Sequence, residues 1–300
     1  MVRKEICKTL CAFVVSLSLA FVPAGCVRED KQGCVYHELS VRVVDSQGND
    51  ITADSTVSPT DIYFFGNNGF VRMLPSASSY TFGMDKSMTA LLSVWGNLTT
   101  NGTVRLVAPT TGDAPQTAEV RLSETSDGYS TSPPDLFYGS LTLQNTETRS
   151  VTAEKLRIVL KRCVSMVSVS VLHISEYLGG RIPDLHISVR GTSTAMNFLG
   201  EAVNGDAVYT PKVVASSGVD RFNTPQLRTF PTPADGGLDI VLYDGDALLL
   251  RATTDDDGNR LHATPGNETA VTIDFRYAHP KVGIQVQPWD GKGDQHTEFP

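Results

Sequence analysis

The chain has 300 residues, 25 basic against 33 acidic side chains for a formal charge of -8, and 40% hydrophobic content. That is enough apolar material for packed cores and too much for a disordered chain, and the length fits either two ordinary domains or one large β-domain. An acidic total with no basic block argues against nucleic acid, whose phosphates must be met by clustered Lys and Arg.

Arg3, Lys4 and Lys8 precede an apolar or small stretch from Leu10 to Phe21. It has the length of a signal-peptide core and falls short of the about 20 residues that a membrane span needs. Residues 1–25 therefore read as a signal peptide. The stretch runs into Val22-Pro23-Ala24-Gly25-Cys26, whose small residues before a cysteine resemble the lipobox of bacterial lipoproteins, with Pro23 standing where that box usually has Leu. The resemblance makes Cys26 the site of lipid attachment. The alternative is an ordinary secretory signal cut nearby, leaving Cys26 a free thiol. Removing residues 1–25 takes the net charge from -8 to -10 and takes Cys7 and Cys11 with it. With Cys26 lipidated, Cys34 and Cys163 remain. They either pair in an oxidising compartment or sit as two separate buried thiols, and sequence cannot bring them within bridging distance. Residues 26–34 form a polar tether, Val27-Arg28-Glu29-Asp30-Lys31-Gln32-Gly33 after the cysteine. Its acidic residues resemble the surface-export signals of Bacteroidetes lipoproteins; without that resemblance they are a solvated linker.

From Leu39 the hydrophobic period is two. Leu39, Val41 and Val43 open the series; Leu156, Ile158 and Leu160, then Val167, Val169 and Val171, then Leu185, Ile187 and Val189 continue it. Ile240 and Leu242, Val271, Ile273 and Phe275, and Val282, Ile284 and Val286 close it. Such alternation marks strands with one face buried. Between them lie turn clusters such as Gly66-Asn67-Asn68-Gly69 and Asp255-Asp256-Asp257-Gly258-Asn259, where Gly and Asn supply positive φ. Only Ile174 to Leu178 and Thr194 to Leu199 invite short helices or irregular crossings. The pattern predicts an all-β protein of tandem antiparallel sandwiches rather than a doubly wound sheet. The polar run Gln144-Asn145-Thr146-Glu147-Thr148 places a boundary between a first domain, 35–150, and a second, 151–300.

The residues carry little chemistry. His37, His173, His186, His262, His279 and His296 are scattered, with no two-histidine metal spacing. No nucleophile elbow or phosphate-cradling loop is present, so neither catalysis nor a cofactor is expected. The acidic turn at 255–259 lacks the later bidentate carboxylate of an EF-hand calcium loop and reads as a hairpin turn.

Three segments say more. Ile62-Tyr63-Phe64-Phe65-Gly66-Asn67-Asn68-Gly69-Phe70 is an aromatic strand with a tight turn, Leu91-Leu92-Ser93-Val94-Trp95-Gly96-Asn97 is a strand ending in Trp-Gly-Asn, and Asp135-Leu136-Phe137-Tyr138-Gly139 closes the first half. In this order, behind the lipoprotein signal and ahead of a second strand-rich half ending in Ile284-Gln285-Val286-Gln287-Pro288-Trp289, they resemble the FimB-type fimbrial anchor family of Bacteroidetes. Phe64, Gly69, Trp95, Gly96, Asn97, Phe137, Tyr138, Gly139 and Trp289 carry that resemblance as structural residues. It implies two transthyretin-like sandwiches and a surface-exposed outer-membrane lipoprotein held by lipid on Cys26. The implied role is to hold a fimbria to the cell and influence its length, with a stalk fimbrilin as partner through strand complementation. A tether through Cys26 requires the first strand, 35–44, to stay in place, which moves the expected stalk contact to residues 282–300. A surface glycan-binding lipoprotein and a fimbrial tip or accessory adhesin would share the same signal and fold.

Overall fold

The computed structural model describes residues 34–54, 57, 60–74, 80–85, 88–98, 102–144 and 154–289. The signal peptide and Cys26 lie outside the described residues. In chain order the strands are β1 (Cys34–Val43), β2 (Thr60–Gly66), β3 (Gly69–Leu74), β4 (Tyr80–Asp85), β5 (Thr89–Gly96), β6 (Val104–Val107), β7 (Glu119–Leu122), β8 (Phe137–Gln144), β9 (Glu154–Arg162) and β10 (Ser165–Leu172). A one-turn helix, α1 (Ile174–Tyr177), follows. Then come β11 (Leu185–Asn197), β12 (Ala202–Tyr209), β13 (Val214–Ala215), β14 (Arg221–Asn223), β15 (Leu227–Thr229), β16 (Asp239–Asp244), β17 (Ala247–Ala252), β18 (Asn267–Asp274) and β19 (Lys281–Pro288). The protein is all-β.

The first sheet runs β3-β2-β5-β8-β9-β1-β4. β8 meets β9 over only Phe137↔Arg162 and Tyr138↔Lys161. That short junction lets the two arms fold over one core, in which Ile62, Phe64, Leu92 and Val94 of one arm share a cluster with Leu39, Val43, Phe82, Met84, Ile158 and Leu160 of the other. Alternation explains the arrangement. In β2 and β5, Ile62, Phe64 and Val94 turn into this core, while Tyr63, Phe65 and Trp95 turn to the opposite face and join a second cluster. Burial of each large apolar side chain contributes about 1.5–3 kcal/mol. The β2–β3 turn has Asn67 and Asn68 at its tip, with Gly69 at φ +91°, and a Cβ on Gly69 would stand 2.3 Å from the Gly112 carbonyl oxygen.

The other two sheets, β13-β14-β10-β18-β19 with β15 on β10, and β17-β16-β11-β7-β6 with β12 on β11, enclose the second cluster. It draws Val167, Val169, Val171, Val271 and Ile273 from the first of these and Ile187, Val189, Ile240, Leu242 and Tyr209 from the second.

Three features differ from the sequence expectation. Two pairings are parallel, β1 with β9 and β10 with β18, because in each case the chain makes a long excursion before returning, and no hairpin can close such a pair. Residues 194–197 belong to β11 rather than to a helix or crossing. They were obscured because Gly191, at φ +86°, breaks the alternation where β11 shifts register against β12. The sheets also do not divide at residue 150: β9 pairs with β1 and β8, and β7 pairs with β11 through Ala195↔Arg121 to Asn197↔Glu119. A period of two reveals a strand but not its partner.

Candidate functional site

The family-motif residues converge. β5 and β8 set Trp95 opposite Tyr138, Gly96 opposite Phe137 and Val94 opposite Gly139, so the Trp-Gly-Asn and Phe-Tyr-Gly segments lie side by side. Neither glycine has room for a side chain. A Cβ on Gly96 would stand 2.7 Å from Val57 Cγ1, and one on Gly139 would stand 2.4 Å from the Val159 carbonyl oxygen. Gly139 thereby lets β9 pass closely over β8.

Asn97 follows at φ 62°, a left-handed geometry that Asn tolerates better than most residues. Its Nδ2 donates to the Asp135 carbonyl oxygen at 2.9 Å. The Asp135 carboxylate in turn accepts a fork from Arg162, Nε to Oδ1 at 2.6 Å and Nη2 to Oδ2 at 2.8 Å. Arg162 is the end of β9, and its guanidinium centre lies 4.1 Å from the Trp289 ring centroid and 5.0 Å from that of Phe137. Its Nη1 also donates to the Trp289 carbonyl oxygen at 2.8 Å. The Arg162 side chain is only 4% exposed. A planar, weakly hydrated cation that stacks on rings and forks a carboxylate suits this position; a lysine would do neither. The result is a clasp tying the ends of β5, β8 and β9 to the end of the last strand.

On the neighbouring face, Phe198, just after β11, packs edge-on against Tyr63 at 4.7 Å between centroids and lies 5.7 Å from Trp95. Tyr138 Oη donates to the Phe198 carbonyl oxygen at 3.0 Å. A Cβ on Gly200 would stand 2.2 Å from the Tyr138 ring. Burial pushes the Tyr138 hydroxyl above its ordinary range, consistent with a structural donor. Burial raises the Tyr63 hydroxyl to about 12, with the charge of Asp61 adding to the effect.

The two ends of the described chain differ. β1 lies inside its sheet between β9 and β4, with Leu39 and Val43 in the core. Among the described residues β19 is an edge strand, paired only with β18. Trp289 N donates to the Gly266 carbonyl oxygen on the β18 side, so the odd-numbered residues of β19 face β18 and the even-numbered ones face outward. At Val282 that outward edge is capped by Asp256, whose N–H donates to the Val282 carbonyl oxygen at 3.0 Å and whose Oδ1 accepts from Val282 N at 2.8 Å. Pro288 has no N–H to offer. Between them, the outward main-chain groups of Ile284 and Val286 have no partner among the described residues.

The remaining candidates are structural. Cys163 is a free, buried thiol; its Sγ donates to the Leu136 carbonyl oxygen at 3.3 Å, and burial pushes its pKa far up. The acidic segment at 255–259 is a turn in which Asp255 Oδ1 accepts from Asp257 N and Asn259 N. His173, at φ 59°, precedes α1 and bonds Asp274 through Nδ1 at 2.9 Å, while His186 is exposed.

A model of the fimbrillin-A associated anchor proteins Mfa1 and Mfa2 matches residues 30–292. The chain belongs to that anchor family. Among its relatives, the major fimbrium anchoring subunit FimB of Porphyromonas gingivalis is 27% identical over 299 aligned positions, covering 92% of this chain and 94% of the relative. A second P. gingivalis FimB sequence is also 27% identical, covering 95% and 97%. The solved fimbrial anchor protein Mfa2 of P. gingivalis shares the fold at 12% identity with a TM-score of 0.62, covering 85% of this chain and 98% of that one.

Within this anchor-family chain, sequence reasoning found Trp95, Gly96, Asn97, Phe137, Tyr138, Gly139 and Trp289 but missed Arg162 and Phe198, which join them. Phe64 and Gly69 lie apart from the clasp, in the first core and at the β2–β3 turn. Arg162 gave no local signal, since a charged residue at a strand end ordinarily faces water. Phe198 sat in the stretch read as an irregular crossing.

Proposed function

We propose that the chain is the non-enzymatic base of a fimbria: a surface-exposed outer-membrane lipoprotein held by lipid on Cys26. In this reading it retains the filament on the cell, influences its length and meets the stalk fimbrilin by strand pairing. The observation that carries the reading is the interior position of β1, flanked on both edges and buried through Leu39 and Val43. A chain tethered ahead of that strand keeps it permanently in place, so a filament must join elsewhere. The outward edge of β19, open at Ile284 and Val286, is the matching opportunity at the other end. Residues 290–300, which follow directly, offer a second contact.

The test is gentle cross-linking of tagged protein on intact outer membranes, followed by mass spectrometry, with Cys26→Ala for comparison. Stalk fimbrilin is expected on the wild type, joined near residues 282–300, and the variant should shed protein and filament into the medium. Truncation after Trp289 separates the tail from the edge. Recovery of glycan-uptake components in place of any fimbrilin would overturn the anchor reading.

A further inference from the structure

β11 and β16 build an outward face as well as a core face. Leu185, Ile187 and Val189 turn into the second core, so His186, Ser188 and Arg190 turn the other way. Across the strand pair these three meet Tyr243, Val241 and Asp239. A groove opens beside them because β12 leaves β11. Beyond Val189↔Tyr209 the same register would set Pro211 opposite Ile187, and a proline cannot donate a ladder bond. The chain moves instead to the other sheet as β13. The groove measures about 750 Å³; Tyr129 and Tyr243 stand in its walls, and Arg190, Lys212, Asp184 and Asp246 bring charge to it.

Those charges do not neutralise one another. Asp239 is the carboxylate that strand pairing sets opposite Arg190, yet Arg251 takes it, with Nε and Nη2 reaching Asp239 Oδ2 at 3.0 and 2.7 Å. Arg190 is oriented from its other side, where its Nε donates at 3.1 Å to Oγ of the buried Ser188. Among the described residues the two Nη atoms of Arg190 have no hydrogen-bond partner, and neither Arg190 nor Lys212 has an ion pair. Arg190 is thus a preset fork whose end is free for a carboxylate. The Asp184 carboxylate is exposed, with His186 Nε2 at 3.4 Å, and Asp246 lies on the exposed β16–β17 turn.

We infer that this groove binds an acidic sugar, a hydroxyl-rich ring bearing one carboxylate, which the Arg190 fork and Lys212 receive. Three features select that class. The rings of Tyr129 and Tyr243 suit the apolar C–H face of a pyranose. Asp184 and Asp246 accept hydrogen bonds from hydroxyls, which a sugar offers and a fatty acid lacks. The same two carboxylates, with the chain's net charge of -8, repel polyanions such as polyphosphate. Recognition runs through side chains that line the groove, so no buried main-chain group has to be reached. The inference is independent of the anchor reading, which rests on β1 and β19 and not on this face.

The test is titration calorimetry of the full mature chain with 3′-sialyllactose and with trigalacturonate, each beside its methyl ester, which keeps every ring and loses the charge. At least one acidic probe is expected to bind with a Kd below about 1 mM, and which one binds distinguishes a sialylated source from a uronate-rich one. Its ester should bind at least about fivefold more weakly, and raising NaCl from about 0.05 to about 0.5 M should weaken the acid and spare the ester. Arg190→Gln and the exposed Lys212→Gln should each weaken binding about threefold to fivefold without moving the melting temperature, as exposed ion pairs do. Tyr129→Ala should weaken acid and ester alike. No binding of either acid, equal binding of acid and ester, or unchanged affinity in both cation variants would each overturn the proposal. So would citrate competing as well as the sugars, since the groove would then be a charge sink only.

Discussion

The first and last strands of the described chain are both amphipathic segments of similar length, yet the fold uses them in opposite ways. β1 is sealed: a parallel partner lies on one edge, β4 on the other, and Leu39 is fully buried. β19 is left half open, paired through all eight of its residues on one side and capped on the other only by Asp256 at Val282. The difference teaches that alternation alone does not tell a structural strand from one available to a partner. Which strand is covered depends on where the chain returns, and here β9 returns beside β1 while no described strand returns beside β19.

Three experiments would break or sharpen that contrast. The largest effect is expected at the clasp that fixes the end of β19. Asp135→Ala leaves the Arg162 guanidinium buried without its carboxylate and should cost about 3–5 kcal/mol in denaturant unfolding, whereas Asp135→Ala with Arg162→Met should recover much of the loss because no charge is then stranded. A double variant no more stable than the single one would show that ring stacking on Trp289 and Phe137 dominates. Next comes the direct comparison of the strands. Leu39→Ala should destabilise by about 2–5 kcal/mol, while Val286→Ala, at a position 52% exposed, should stay within about 0.5 kcal/mol. Equal losses would mean that β19 is as deeply built in as β1.

The smallest effect concerns the turn between β18 and β19. Burial alone would raise the pKa of Asp274, but bonds from Arg276 and His173 hold it down to about 2 from its ordinary 3.8. The folded value lies below the unfolded one, so the stabilisation is complete above about pH 4 and is lost as pH falls through 2. Melting temperatures of wild type and Asp274→Asn should therefore converge over that window. Curves that stay parallel would remove Asp274 from the account.

Much of the fold was legible because its strands are written in a period of two: Leu39 to Val43 and Val167 to Val171 fall where the alternation sets them, and Val282 to Val286 form a strand in which Val282 is buried but Val286 is exposed. The motif residues were legible for another reason. Gly139 marks an approach of the Val159 backbone, and Gly96 one of the Val57 side chain, too close for any side chain of their own, and aromatic residues beside them mark cores. What sequence did not reveal is long-range. Nothing within β9 announces that it lies parallel to β1, nothing within β7 announces β11, and Arg162 gains its meaning only from Asp135 and Trp289, 27 and 127 positions away. The open edges were hidden as well, because an unmade main-chain bond leaves no mark on composition, although Pro211 and Pro288 record where pairing stops.

The register of β1 has a mechanical consequence. β1 and β9 run parallel, so both start at one end of the sheet, and β9 delivers its far end to Arg162 and the Trp289 clasp. A pull between the start of β1 and Arg162 at the end of β9 therefore draws the two strands in opposite directions along their common axis. All seven residue pairs from His37↔Glu154 to Val43↔Leu160 resist together in shear; none can be unzipped ahead of the others. A load across this pair is therefore met by shear along seven residue pairs at once rather than by peeling one pair at a time.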